Sequence, residues 1–261
     1  AIIVLWILPF TWPAAAAGTA FFVLVSVPII LIVSAMAEIL NVHPSKKVPG
    51  KPGCFDKSTL IKTKKGWKKI SKIKVGEILE NDTKVTAVFK IAADTQEMYY
   101  LNGVIVSGSH KVFNKNLGWI DVKDHPFAKK KDNYTEDIIY CLNTTEKRIY
   151  INKMIFMDWD ELTPTDMMKL KLRKFIPMSG GYENIHKYME SGFSKNTLVE
   201  LQNGKKINIS DVKPNDILKN NEKVIATVCI NGKDLDNIQE YTFKNQKIIG
   251  GPNLFLKHRD L

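Results

Sequence analysis

Gly53-Cys54 is followed, about fifty residues on, by Ser107-x-x-His110. A cysteine thiol can reach back to the carbonyl carbon of the residue before it and turn that amide into a thioester, an N–S acyl shift. The step is uphill unless the leaving nitrogen gains a proton. A histidine titrating near neutrality can deliver it and typically contributes ~10²–10⁴-fold. A hydroxyl or a backbone N–H must also polarise the bond or steady charge on the Gly53 oxygen. Gly53 adds no side chain to the attack path. The same types also suit plain structural parts, with Ser107 and His110 as turn residues that satisfy backbone groups.

The elements that would hold these residues read as mostly β. From Cys54 onward, short runs such as TLIKT, KVTAVFKI, MYYLNGVIVSG and KRIYINKMIF alternate with Gly, Asn and Asp turns. Period-2 alternation over 84–91 predicts that Val85, Ala87, Phe89 and Ile91 share one face. Helical pattern is confined to about 165–175, with Thr165 as N-cap, and about 182–189. An internal echo is also legible. CFDKSTLIKTKKGWKKISKIKVGEIL (54–79) returns as GFSKNTLVELQNGKKINISDVKPNDIL (192–218), VTAVFKI (85–91) as VIATVCI (224–230), and VSGSHKVF (106–113) as IGGPNLFL (249–256). In this alignment Cys54 becomes Gly192, Ser107 becomes Gly250 and His110 becomes Asn253, so the second unit lacks the chemistry of the first.

Gly53-Cys54-Phe55, the run Gly66-x-x-x-Ile70-x-x-Ile73-x-x-Gly76, Ser107-x-x-His110 and the late Met157-Asp158 together resemble the Hedgehog/intein (Hint) family. The resemblance covers Cys54 to about Leu162, and the echo extends it to about residue 256. It implies a compact Hint-like β fold in tandem, the second copy degenerate. It also implies catalytic roles for Cys54, Ser107 (where the family has Thr) and His110, with Gly53-Cys54 as the scissile bond. Cys141, in IIYCLNTT, falls in the block where the family often places an Asp or Cys that assists acyl transfer. The alternative is a small buried hydrophobe on a strand. Splicing members end in His-Asn. Met157-Asp158 stands here instead, which disfavours splicing and leaves N-terminal cleavage. No sterol-recognition segment and no homing-endonuclease insertion is recognisable.

The 261 residues carry 38 Lys and Arg, 27 Asp and Glu, and a net charge of +11, yet 1–37 holds no charged side chain. That stretch exceeds one straight membrane pass. With Pro9, Pro13, Trp6 and Trp12 marking a break and an interfacial belt, 1–42 reads as an α-helical transmembrane hairpin whose full pass is 14–37. The absence of an initiator Met suggests residues upstream of Ala1. Basic 43–53 (HPSKKVPGKPG) follows as a linker. Then come the Hint-like domain at 54–162, a helical linker at 163–191 and the degenerate repeat at 192–261. By the positive-inside tendency the large domain faces the cytosol, or the outside of an internal virion membrane.

Cys54, Cys141 and Cys229 are too few and too far apart for a disulfide scaffold or a paired-cysteine zinc site. Cys229 reads as core. His125 and His186 have no acid or thiol at readable spacing and read as structural or solvated. No Walker loop, GxGxxG or HExxH is present, so no metal or cofactor is implied. The lysines of 62–74 alternate with apolar residues as one solvated strand face, and Lys129 to Lys131 fall in a polar loop. Nucleic acid is therefore disfavoured against anionic lipid or protein partners. Two functions follow. One is a membrane-anchored scaffold on a Hint fold, its Lys, Asn and Ile richness pointing to a minor capsid or membrane-linking protein of a large DNA virus. The other is a Hint autoprocessing protein that cleaves itself at Gly53-Cys54.

Overall fold

Runs rich in β-branched and aromatic residues, punctuated by Gly, Asn and Asp, fold as strands. The computed structural model describes residues 2–8, 53–94, 96–162, 192–234, 238–243 and 246–251. Its strands are β1 (Ile2–Leu8), β2 (Leu60–Thr63), β3 (Gly66–Lys69), β4 (Val85–Ala92), β5 (Met98–Leu101), β6 (Val104–Ser107), β7 (Lys111–Asn114), β8 (Gly118–Asp121) and β9 (Lys129–Lys130). They continue with β10 (Ile138–Thr144), β11 (Arg148–Ile151), β12 (Met154–Met157), β13 (Phe193–Ser194), β14 (Leu198–Glu200), β15 (Lys206–Asn208), β16 (Lys223–Ile230), β17 (Gln239–Phe243) and β18 (Gln246–Gly250). The only helical elements among the described residues are three-residue 3-10 turns. The expected helices at 165–175 and 182–189, and the apolar span at 14–37, lie outside the described residues. Among the described residues no helix is long and apolar enough to cross a membrane.

Among the described residues one unit, a hairpin running straight into a 3-10 turn, occurs three times: β2-β3 into 70–72, β7-β8 into 122–124, and β14-β15 into 209–211. In each, the first residue of the turn donates its N–H to the carbonyl just before the hairpin. The three bonds are Ile70 to Thr59 (2.7 Å), Val122 to His110 (2.8 Å) and Ile209 to Thr197 (2.7 Å). Ile70, Val122 and Ile209 are all buried, so an apolar residue plugs the turn into the core each time. His110 thus occupies the position held by Thr in the other two copies.

Two further hairpins complete the first domain. Asn102-Gly103 joins β5 to β6 and Asn152-Lys153 joins β11 to β12, every φ positive (48°, 77°, 48° and 63°), as two-residue turns matching strand twist require. The turns clasp each other: Asn102 Nδ2 donates to the Asn152 carbonyl (2.7 Å) and Asn152 Nδ2 to the Asn102 carbonyl (3.1 Å).

The long strands assemble in one antiparallel sheet of order β10-β4-β16-β1-β13-β18-β17. The echoed unit therefore shares a sheet with the first. β4 is its buried spine, and one expectation about it is corrected. Asn143 faces Ala87 but Thr144 faces Val85, so Thr86 bulges out of the ladder. The bulge turns Val85 into the cluster of Phe55, Leu142 and Phe156, while Ala87, Phe89 and Ile91 pack with Cys54 and Cys141.

A second correction concerns 2–8, expected in the first pass of a helical hairpin. It is a strand, paired with β16 along its length and with β13 at Ile2 and Ile3. A continuous apolar run is the pattern of a membrane pass and equally of a strand flanked on both sides within a sheet. A third concerns Lys129 to Lys131, expected in a polar loop. Lys129 and Lys130 form β9 against β5, with Lys130 on Glu97 (2.7 Å) and Lys131 Nζ on the Tyr100 hydroxyl (2.7 Å). Of the basic run at 62–74, Lys62, Lys64 and Lys68 pair with Glu80, Asp82 and Glu77.

Candidate active site

The site is built where the first strand-like residues of the domain enter the sheet. Phe55 is fully buried and bridges Val106 on one side and Tyr140 on the other. That single aromatic anchor fixes Cys54 between the end of β6 and β10. Asp56 braces the entry, accepting from the Ser58 N–H (2.8 Å), the Ser58 hydroxyl and the Tyr134 hydroxyl (2.8 Å). Those hydrogen bonds outweigh burial and hold its carboxyl below the usual range, although burial is the largest single influence.

Gly53, Cys54, Ser107, His110 and Cys141 are brought together, all buried. Ser107 ends β6, and its hydroxyl accepts the N–H of Cys54, the amide of the Gly53-Cys54 bond itself, at 2.8 Å. Its own N–H returns to the Cys54 carbonyl (2.8 Å). A tight turn, closed by His110 N–H on the Ser107 carbonyl (3.1 Å), then presents the histidine. Gly108 is needed there, because a Cβ would fall 2.5 Å from the Tyr99 ring.

His110 lies directly over Gly53. A Cβ on Gly53 would stand 2.6 Å from both Cγ and Nδ1 of the imidazole. The ring is wedged between Phe55 (centroids 4.5 Å) and Phe156 (5.6 Å), and Nε2 lies 2.8 Å from the Met157 carbonyl oxygen. A carbonyl can only accept, so Nε2 carries hydrogen, and Nδ1 is the ring nitrogen that faces Gly53.

Cys141, on β10 opposite Phe89, donates its thiol to the Leu142 carbonyl (3.7 Å) and packs in one cluster with Cys54. Burial first, and then the Cys54 thiol, push Cys141 well above an ordinary cysteine, so it stays a thiol at neutral pH. It is the small buried strand residue the sequence allowed, and it packs in one cluster with Cys54.

Asp158, which the sequence offered within the late Met157-Asp158 pair and without a role of its own, is a titratable neighbour of this cluster. It is fully buried, accepts from the Thr144 N–H (2.8 Å) and the Asp160 N–H (3.1 Å), and lies near enough to raise Cys141. Burial pushes its carboxyl up to about 7 against the pull of Lys147. Lys147 is itself buried and pairs with Asp160 at 2.6 Å. Asn143, with its amide nitrogen turned to the two carboxylates, reaches Asp158 at 2.7 Å and Asp160 at 3.1 Å. A charged pair and two amides around one carboxyl could not be read from spacing, since they lie on β10, the β10–β11 turn and the segment after β12.

Other expectations settle locally. Phe127 N–H and the Asn114 amide contact the two ring nitrogens of His125 (3.3 and 3.2 Å), a bracing role for a nearly buried side chain. His186 lies outside the described residues. Cys229 sits on β16, partly buried. In the echoed unit Gly251 N–H bonds the Gly192 carbonyl (3.0 Å), and Phe193 pairs with Gly250 as Phe55 does with Val106. Gly251, not Gly250, therefore stands in the place of Ser107, one residue beyond the sequence alignment. The position has no hydroxyl in either register, and residue 253 is outside the described residues.

No family model matches the sequence, and no curated protein does. Among solved structures, the chain is similar to the gp41-1 intein in two crystal structures, both at 18% identity over 41% of this chain. One, a triply substituted form, is covered to 99% with a TM-score of 0.29. The other is covered to 100% with a TM-score of 0.28. The MchDnaB-1 intein is similar at 14% identity, over 40% of this chain and 98% of its own, with a TM-score of 0.31.

Proposed function

We propose that this chain is a Hint-type self-processing protein that cleaves its own Gly53-Cys54 bond. The observation that carries the reading is the scissile amide held from both sides: its N–H is bound by Ser107 Oγ, and its glycine is covered by His110. The Cys54 sulfur bonds to the Gly53 carbonyl carbon as the Gly53 C–N bond breaks. The departing Cys54 nitrogen leaves as an amine, protonated through His110 Nδ1. The proton lost by the thiol replaces the one that His110 delivers, so the shift consumes no external acid or base. Water then adds to the thioester, restoring the thiol and leaving a Gly53 carboxylate, or an external nucleophile takes the acyl group instead. Ser107 keeps the nitrogen oriented while its bond to carbon stretches.

The test is intact mass of the purified chain and of Cys54→Ala, with and without a small thiol at neutral pH. A thiol-dependent fragment beginning at Cys54, absent from the variant, is expected. One uncleaved mass in every condition overturns the reading.

A second reading, a scaffold on a Hint fold, is favoured by one observation: Cys54, Ser107 and His110 have no exposed surface for a nucleophile to enter. In that form the uncharged 14–37 span would attach the chain to a lipid bilayer. The β domain would meet protein partners on the cytosolic side or outside an internal virion membrane, as a minor capsid or membrane-linking protein would. The mass experiment separates the two readings.

A further inference from the structure

Among the described residues the second unit has no strand in the place of β10, and β1 stands there instead. In the first unit β4 pairs with β10, and Phe55 is flanked by Val106 and Tyr140. In the second, β16 pairs with β1, and Phe193 is flanked by Gly250 and Ile3. The echo that sets Val85 on Val224 makes the registers coincide. Ile139 opposite Ile91 becomes Ile2 opposite Ile230, Cys141 opposite Phe89 becomes Val4 opposite Val228, and Thr144 opposite Val85 becomes Ile7 opposite Val224. Even the irregularity repeats. The first ladder skips Thr86 between Asn143 and Thr144, and the second skips Ile225 between Trp6 and Ile7. Bulges are positional features, not accidents, so coincidence at the same step argues for one role.

We propose that β13 and β16 form a strand-acceptor site for an extended apolar segment, and that its occupant is residues 2–8 of this chain. The N-terminal leader supplies, from the other end of the sequence, the strand that β10 supplies to the first unit. Backbone hydrogen bonds give such a strand its hold, and the alternating pockets of the acceptor give its register. The pairing stands whether or not Cys54 reacts. Its consequence for processing rests on the self-cleavage reading: scission after Gly53 cuts the chain between donor and acceptor, so the leader stays bound instead of leaving.

The native cysteine of β16 makes the test direct, because Ile3 is the Cα partner of Cys229. Antiparallel partners lie about 4.5–5.5 Å apart at Cα, within the span of a disulfide. In the full chain carrying Cys54→Ala, which removes self-cleavage, Ile3→Cys is expected to cross-link to Cys229 under mild oxidation. Ile2→Cys and Val4→Cys, which alternate to the other face, are expected not to. A site for a specific protease inserted between Gly50 and Lys51 then allows the leader to be cut without Cys54 chemistry. In the reduced protein, the leader fragment is expected to co-elute with the remainder after cutting. Equal cross-linking at positions 2, 3 and 4, or none with Cys229 freely alkylated, overturns the proposal, and so does loss of the leader on cutting. Cleavage failing in the wild type while the cross-link forms would sink the processing reading alone.

Discussion

His110 Nε2 sits 2.8 Å from the carbonyl oxygen of Met157, a contact with the backbone and not with the methionine side chain. The tautomer of the histidine is thus set by β12 whatever residue occupies 157. For self-cleavage, His110→Gln is expected to slow fragment release by ~10²–10⁴-fold. Met157→Leu, which keeps the carbonyl and nearly the volume, is expected to leave the rate within about a few-fold while costing under about 1.5 kcal/mol of stability. Rates come from the mass time course, stability from urea unfolding.

Gly53→Ala is expected to fold but to cleave at least about tenfold more slowly. The new methyl would stand 2.6 Å from the imidazole and 2.8 Å from the His110 Cα, so ring and scissile bond must separate. Misplacement on this scale costs rate steeply. Cleavage at the wild-type rate would show that His110 does not work from its place over Gly53.

Stability should fall as pH rises through the range set by Asp158. Its carboxyl goes from the usual 3.8 up to about 7 on folding, chiefly by burial. The folded chain therefore holds this proton more tightly than the unfolded one. The contribution is fully present below about 3.8 and lost as pH rises through about 7, on the order of a few kcal/mol. Asp56, lowered on folding, acts in the opposite sense at acid pH, its contribution being lost as pH falls. The difference between wild type and Asp158→Asn isolates the step: the variant is expected to gain relative stability from pH 5 to pH 8 in urea titrations. A constant difference across that range would contradict the assignment.

Lys153→Gly is expected to stabilise by about 1 kcal/mol. Lys153 holds φ at 63°, a left-handed conformation that costs a non-glycine residue roughly 1–2 kcal/mol, part of it returned by the greater entropy of an unfolded glycine. Asn102-Gly103, the matching turn, already has glycine at that position. The midpoint of thermal or urea unfolding decides it.

The repeat from Cys54 to Leu79 was legible because Phe, Thr, Gly and Ile recur at fixed spacing, and the structure places the recurring glycine where it is needed, Gly66 and Gly204 at φ of 110° and 80°. The middle copy, Lys111 to Asp124, escaped notice because Val122 is the only apolar plug it shares, and His110 replaces the threonine before the hairpin. Cys54, Ser107 and His110 could be singled out by type. Two contributors could not: a backbone carbonyl at Met157 has no sequence signature, and Asp158 gains its character from burial beside Lys147 and Asp160. The run at 2–8 has the composition of a membrane pass and folds as a strand because hydrophobicity alone does not distinguish lipid from a neighbouring strand.

The spine position of β4 sets an order on synthesis. β4 can zip to β10 once about fifty further residues have emerged, but its other edge waits for β16, nearly 140 residues downstream. β1, made first, can meet β13 only at Ile2 and Ile3 before that same strand appears. During translation two bare edges, one of them wholly apolar in sequence, coexist until β16 leaves the ribosome. Pairings this distant close slowly. The nascent protein is therefore a natural client for chaperones that shield unpaired strands, and truncation before residue 223 would turn both edges into sites of aggregation.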